Sequence, residues 1–310
     1  MLTGNIKTEI SPKDIRKNFR TALKSGKLLR MPGAFSPFVA LIIEQIGFEG
    51  IYISGAGISN DLGLPDIGLT TLPEVVQRGH AIGRSTKLPT LIDIDTGFGE
   101  VLNVARTIQE IENVGLSGVH IEDQTNPKRC GHLDNKALVT LNAMSLKIKA
   151  AANAKRDENF LIMARTDAAA SEGLDAAIDR AKAYIDAGAE AIFPEALGTE
   201  KDFEKFRKAI PVPLLANMTE FGKSKLLSTQ TLSDLGFNIV IYPMSSFRFA
   251  MKSVEEGLKA IYQKGTQESV VPQMQTRARL YEILKYEEYN AFDKNIFTFD
   301  LSNNSKNFEK

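Results

Sequence analysis

Apolar residues along this chain gather in short runs, most of them too short for a helix of ordinary length. Eight runs, at 28–34, 50–55, 89–95, 118–123, 160–167, 191–195, 213–218 and 238–244, are rich in β-branched and aliphatic residues and predict strands. Between them lie amphipathic stretches of helical period, among them 36–46, 73–84, 101–113, 174–187 and 203–210. Strands that alternate with helices make βαβ units and a parallel sheet. Eight such units predict a closed α/β fold, a (β/α)8 TIM-type barrel. The expected organisation is one barrel domain over residues 1–310, with a helical lead at 1–26 and a helical extension and tail at 265–310. An open doubly wound sheet is the alternative. Its usual Gly-x-Gly-x-x-Gly turn after the first strand is absent, and Gly55-Ala56-Gly57 follows the second run instead.

The ends of the runs are polar. They finish in Ser54, Asp93 and Asp95, Glu122 and Asp123, Arg165 and Asp167, Glu195, and Asn217. In a barrel all these ends open on one mouth, where active sites are built. Asp167 or Asn217 taken singly could be no more than a helix cap, but the set holds too many carboxylates for capping alone. Asp93 and Asp95 stand two residues apart, and strand alternation predicts both on one face. Like charges that close call for a cation or for hydrogen-bond donors. With Glu122 and Asp66 they offer only oxygen, which suits Mg2+ better than zinc. A carboxylate network held by hydrogen bonds is the plainer alternative. Arg165, Arg248 and Arg277 add guanidinium forks that fit carboxylates, and together they predict a small, multiply negative substrate. Each arginine alone could equally be a surface ion pair. His120, inside a strand, reads as a packed core imidazole.

Charge and cysteine usage narrow the classes. With 38 basic and 38 acidic residues the net charge is zero, which removes the footprint of a nucleic-acid binder. No run approaches bilayer length and Met1 to Arg20 has no secretory pattern, so no membrane partner and a cytoplasmic location are expected. The single cysteine, Cys130, sits in Lys128-Arg129-Cys130-Gly131-His132. A lone cysteine is usually a small buried apolar residue. Cationic neighbours instead favour the thiolate and mark a reactive sulfur, and the glycine lets a ligand approach closely. The polar segment 124–138 is long for a connection between a barrel strand and its helix, as expected of a covering loop.

Ordered motifs carry a family resemblance. They are Ser54-Gly55-Ala56, Gly63-Leu64-Pro65-Asp66, Asp93-Ile94-Asp95-Thr96-Gly97-Phe98-Gly99, His120-Ile121-Glu122-Asp123-Gln124, the Cys130 loop, Ala164-Arg165-Thr166-Asp167-Ala168, Pro194-Glu195-Ala196, Asn217-Met218-Thr219-Glu220 and Met274-Gln275-Thr276-Arg277. From about Lys27 to Tyr281 the chain resembles the isocitrate lyase/phosphoenolpyruvate mutase superfamily, and most closely its 2-methylisocitrate lyase family. The resemblance implies a barrel whose last helix is swapped between subunits, and a homotetramer. It implies Mg2+, with Mn2+ able to substitute, held directly by Asp93 and largely through water by Asp66, Asp95 and Glu122. Ser54, Gly55, Ala56, Arg165, Glu195, Asn217, Thr219, Arg248 and Arg277 are then substrate-binding. Phe193, Ile241 and Pro243 are then walls of a pocket for the substrate methyl.

The implied reaction splits a tricarboxylate, 2-methylisocitrate, into pyruvate and succinate, a step of the methylcitrate cycle of propionate catabolism. Cys130 donates a proton, with Lys128, Arg129 and His132 offsetting charge and Glu195 a candidate for the hydroxyl proton. Ile241 stands where such lyases often have Leu, and the Ser54-to-Asp66 spacing is one residue short. Two alternatives stay open at this point: a lyase for another methylated hydroxy diacid such as 2,3-dimethylmalate, and a non-catalytic, Mg2+-dependent barrel scaffold.

Overall fold

A computed structural model describes residues 10–129, 131 and 136–298. Cys130 and His132 lie outside the described residues. The chain divides into two compact units, Ser11–Glu256 and a second that takes in the chain from Gly257 onward. All eight expected runs form strands: β1 (Leu29–Pro32), β2 (Ile51–Ile53), β3 (Thr90–Asp93), β4 (Gly118–Glu122), β5 (Leu161–Thr166), β6 (Ala191–Pro194), β7 (Leu215–Asn217) and β8 (Ile239–Tyr242). Helices α1 (Pro12–Leu23), α2 (Pro37–Ile46), α3 (Gly55–Asp61), α4 (Leu72–Gly83), α5 (Val101–Asn113), α6 (Leu141–Ala154) and α7 (Ala168–Ser171) belong to the first unit. So do α8 (Leu174–Asp186), α9 (Glu200–Ala209) and α10 (Thr229–Asp234), while α11 (Ser245–Lys264) runs from it into the second. The second unit also holds α12 (Arg277–Ile283) and α13 (Tyr286–Phe297).

Every strand pair is parallel. β2-β3-β4-β5-β6 run side by side, as do β1-β8-β7. The two groups meet at both margins. Ala34 N–H donates to Tyr52 O at 2.9 Å beside the Gly33–Tyr52 bridge, and Ile192 N–H donates to Pro213 O at 3.0 Å beside the Ile192–Leu214 bridge. The sheet therefore closes into the expected barrel, and among the described residues no strand keeps a bare edge.

Alternation along the strands builds two separate cores. Leu29, Met31, Tyr52, Leu91, Leu161, Met163, Phe193, Leu215, Ile239 and Ile241 fill the barrel interior. Their neighbours Ile51, Ile53, Ile92, Ile94, Val119, Ile121, Ile162, Ile192 and Val240 face the helices. Strands buried on both faces read as near-continuous apolar runs, which is why the sequence pattern found them. The alternating register also aims Asp93, His120, Glu122, Arg165 and Glu195 inward above the interior layers, since Asp93 pairs with His120 and Glu122 with Arg165.

The N-terminal helix seals the bottom. Ser11 caps α1 by accepting from Asp14 N–H, and Phe19 and Leu23 of the same helix pack into the interior core. Arg16 is buried and donates to the carbonyls of Leu116 and Glu112, at 2.8 and 2.6 Å, and to Asp157 at 3.1 Å. Helix α11 is the opposite case. Among its twenty residues none is buried, and Phe249, Met251 and Val254 are exposed. No helix among the described residues is long and apolar enough to cross a membrane.

Candidate active site

Asp93 ends β3 and is buried, with its oxygens accepting from Gly55 N–H at 3.3 Å and from Asp95 N–H at 3.0 Å. Asp95 does not continue the strand. Its φ is 47°, so the chain turns after Ile94, and the two carboxylates converge through that turn and not through the alternation expected of a strand. Gly55 opens α3, a helix that Gly-Ala-Gly does not announce. A Cβ there would lie 2.9 Å from Asp93 Oδ2 and 3.2 Å from Asp95 Oδ1, so only a glycine leaves the space over the acids clear.

Lys128 reaches into this cluster. Its ammonium is almost wholly buried, pairs with Asp66 and lies 2.9 Å from Asp95 Oδ1. Burial pulls the Lys128 pKa down, but Asp95, Glu122 and Asp66 outweigh it and hold the group well above its usual value. Burial, with help from Asp93 and Asp66, pushes the Asp95 carboxyl up to about 6 against the pull of Lys128. Burial raises Glu122 well above the ordinary range too, although Arg165 and Lys128 oppose it.

Arg165 is the hub of the second half. Its Nε and Nη2 fork onto Asp167 at 3.0 and 3.2 Å, Nη1 stands 3.3 Å from Glu122 Oε2, and Nη2 stands 3.2 Å from Glu195 Oε2. Phe193 lies under the guanidinium, 5.1 Å from ring centre to Cζ, and edge-on to His120. Glu195 accepts from Ala196 N–H at 2.9 Å and from Asn217 Nδ2 at 3.3 Å. His120 stacks on Tyr52 and its Nε2 lies 2.7 Å from the Tyr52 hydroxyl. Burial drops its pKa to about 4, so it is neutral, a core imidazole as read from the sequence, though its Nε2 stands 3.8 Å from Asp93 Oδ1 on the neighbouring strand.

Gly131 sits in the mouth. A Cβ on Gly131 would lie 2.6 Å from Glu195 Cγ and 2.7 Å from Glu195 Oε2, and closer still to Arg165 Nη2. Gln124 clamps the start of its loop, accepting from Arg129 N–H and donating to Arg129 O, both at 2.8 Å. The structure thus gathers Gly55, Asp66, Asp93, Asp95, Glu122, Lys128, Arg165, Glu195 and Asn217, with Ser54 and Ala56 flanking Gly55. Residue Arg129 is exposed and its side chain is not part of this cluster. Arg248 lies after β8 and donates to Glu220 O at 2.7 Å and Glu220 Oε2 at 3.2 Å. Thr219 is buried just after β7. Ile241 is buried in the interior core, and Pro243 follows β8 with its carbonyl pressed on Gly33. Arg277 begins α12 in the second unit.

Three participants have no assigned role in the sequence: Asp123 and Asp167 stand among its polar strand ends, and Lys136 carries no signal. Asp167 reads as a helix cap but anchors Arg165. Asp123 is fully buried and accepts from Asp167 N–H at 2.9 Å and from the Thr166 and Tyr184 hydroxyls at 2.8 Å each. Lys136 donates to Asp167 Oδ1 at 2.9 Å and to the Gly131 carbonyl. In the sequence Asp167 stands out only as one of the polar strand ends, two residues beyond Arg165.

The donor set fits a hard divalent ion. Six carboxylates (Asp66, Asp93, Asp95, Glu122, Asp167, Glu195) stand against three cations (Lys128, Arg165, Lys136), a surplus of three negative charges when all are ionised. Neither oxygen of buried Glu122 has a hydrogen-bond partner among the described residues. No three of His, Cys, Asp and Glu among those residues are arranged to grip an ion unaided. Mg2+ needs no such cage, because it keeps several waters and takes one or two carboxylates.

Comparison with known proteins identifies the lineage. A model of the family described as phosphoenolpyruvate phosphomutase matches residues 19–262. The chain belongs to that family. Within it, the chain is 55% identical over 298 residues to a probable 2-methylisocitrate lyase 2 of Corynebacterium glutamicum, covering 96% of this chain and 97% of the relative. It is 47% identical over 286 residues to a 2-methylisocitrate lyase of Halalkalibacterium halodurans, covering 92% and 95%. Among solved structures, an oxaloacetate acetylhydrolase in complex with 3,3-difluorooxalacetate matches with a TM-score of 0.88 at 30% identity, over 94% of this chain and 100% of that one. The family resemblance carried by the motifs, and the barrel it implied, are borne out.

Proposed function

We propose that this protein is a metal-dependent carbon–carbon lyase that cleaves 2-methylisocitrate to pyruvate and succinate. One observation carries the reading: Gly131, the centre of the Cys-Gly-His motif, packs on Arg165 and Glu195 beside the Asp93, Asp95 and Glu122 carboxylates. That arrangement supports a mouth in which Arg165 binds a substrate carboxylate and the nearby acids hold a cation, with the residue next to Cys130 beside them. The relatives' activity points to the substrate.

Asp93 would hold Mg2+, or Mn2+ by the same oxygen chemistry, with Asp66, Asp95 and Glu122 reaching it through water. Bound there, the ion supplies positive charge that lowers the pKa of the substrate hydroxyl and offsets the charge gathering on that oxygen. Arg165 and Arg248 bind substrate carboxylates as two-pronged partners, and the family resemblance gives Arg277 a substrate-binding role as well. Ser54, Gly55, Ala56, Asn217 and Thr219 border the substrate, and Phe193, Ile241 and Pro243 receive its methyl group. Glu195 takes the hydroxyl proton. The bond from the hydroxyl-bearing carbon to its neighbour then breaks, leaving the ketone of pyruvate. The electron pair passes to the neighbouring carbon, where the adjoining carboxylate delocalises it. Cys130 gives its thiol proton to that carbon and completes succinate, while Lys128 and His132 offset the charge; the exposed side chain of Arg129 is left without that role. One proton is taken and one is given, so the enzyme resets through solvent.

The exposed apolar residues of α11 support a homotetramer that exchanges this helix between subunits. We place the reaction in the cytoplasm, in propionate catabolism. The test is pyruvate release by purified protein with Mg2+ and 2-methylisocitrate, beside isocitrate and 2,3-dimethylmalate. One methyl in an apolar pocket is worth about 10–200-fold in kcat/KM. A ratio near one against isocitrate, or faster cleavage of 2,3-dimethylmalate, refutes the substrate assignment.

A further inference from the structure

Lys136 has no part in the chemistry above, yet it is placed with unusual care. The loop that begins after β4 returns to its own base: Thr125 N–H donates to Ala137 O at 2.7 Å and Val139 N–H to Asp123 O at 2.9 Å, around a Gln124–Leu138 antiparallel bridge. From that base the Lys136 side chain runs inward and is almost wholly buried. Its ammonium donates to the Gly131 carbonyl and, at 2.9 Å, to Asp167 Oδ1. Asp167, itself fully buried, takes two prongs of Arg165 and is fixed from behind by Asp123. One side chain therefore ties the peptide next to Cys130 to the acid that orients Arg165. Burying an ammonium is costly, and an apolar residue of the same length would fill the space with no such penalty. The charge is kept for what it holds.

We infer that Lys136 is a positioning residue that fixes the Gly131 carbonyl against the Asp167–Arg165 pair and so sets the reach from Cys130 to substrate. The inference rests on the proposed lyase reaction for its kinetic consequence, but not for its structural one. Misplacing a reacting group by about 1 Å can cost on the order of 100-fold in rate. Lys136→Met is therefore expected to lower kcat about 100-fold and leave KM within about threefold, since Arg165 keeps its prongs on Asp167. Lys136→Arg can still donate to both acceptors and should stay within about tenfold of wild type. A purely structural role would reduce the yield of folded protein and not split kcat from KM in this way.

A second readout needs no turnover. Cys130 is the only thiol in the chain, so iodoacetamide labelling followed by intact mass reports on its seat alone. Labelling should be several-fold faster in Lys136→Met than in wild type, because the neighbouring peptide has lost its anchor. Turnover of Lys136→Met within threefold of wild type overturns the inference whatever the labelling shows. Equal loss in the Met and Arg variants also overturns it, since the charge would then not matter. Should Lys136→Met fail to fold, Lys136→Gln replaces it under the same thresholds. If the wild type itself releases no pyruvate, the lyase reading has failed and labelling alone judges the placement. An unchanged labelling rate then refutes it.

Discussion

Gly131→Ala is the sharpest test of how the mouth is assembled. The added methyl would sit 2.6 Å from Glu195 Cγ and 2.7 Å from Glu195 Oε2, where ordinary contacts begin at 3.4 Å. Its neighbours on that side belong to a network that resists movement, because Arg165 is shared among Asp167, Glu122 and Glu195. Breaking one arm of a buried pair costs about 3–5 kcal/mol, so the loop yields before the arginine does. Relief requires a displacement of about 1 Å, which corresponds to roughly 100-fold in rate, or about 2.7 kcal/mol. The assay is steady-state pyruvate release from 2-methylisocitrate with saturating Mg2+, alongside thermal unfolding. The expected result is a kcat/KM loss near 100-fold with little change in Tm, since the substitution burdens a loop and not the core. A kcat/KM within threefold of wild type would mean that Gly131 does not approach Arg165 and Glu195 in the working enzyme, and the argument for the site would fall.

Three other outcomes are expected. Cys130→Ser should abolish pyruvate formation while substrate affinity by calorimetry stays within a few-fold, because a hydroxyl is a far weaker acid than a thiol; turnover near wild type removes the proton-donor role. Chelation should abolish activity and Mg2+ or Mn2+ restore it, with Asp93→Ala raising the metal needed for half-activity or eliminating turnover; full activity in metal-free buffer refutes the cation site. His120 should remain neutral from pH 8 down to about 4, read from ring nitrogen shifts by NMR. Its folded pKa lies below the usual 6.5, so it takes up a proton only on unfolding between those values, and its contribution to stability falls as pH drops from 6.5 towards 4. An imidazole titrating near 6.5 in the folded protein would contradict the burial that sets it.

The strands were legible because both barrel faces are buried, which writes each one as an apolar run with a polar stop. The helix Gly55–Asp61 was not, because glycine is a poor helix former and its presence answers to the acids of the next strand, not to local propensity. Asp93 and Asp95 were rightly paired for the wrong reason: a left-handed residue, which one short polar side chain tolerates, does the work assigned to alternation. Lys136 carried no signal at all. A lysine in a polar loop looks solvated until the loop is known to fold back over Asp167, and that is a long-range fact. Arg129 shows the converse, a motif residue whose side chain the fold leaves exposed.

The interior layers from Phe19 and Leu23 up to Phe193 and Ile241 leave the barrel filled beneath the site. Whatever enters at the mouth must leave by it, and two products form where one molecule went in. Where the mouth passes one fragment at a time, departure is sequential: the fragment lying outermost goes first and frees the inner one. Traffic of this kind has a kinetic signature. The inner product competes directly with fresh substrate, whereas the outer one inhibits without competing. The pattern of inhibition by pyruvate and by succinate would therefore reveal which fragment lies deeper, from rates alone.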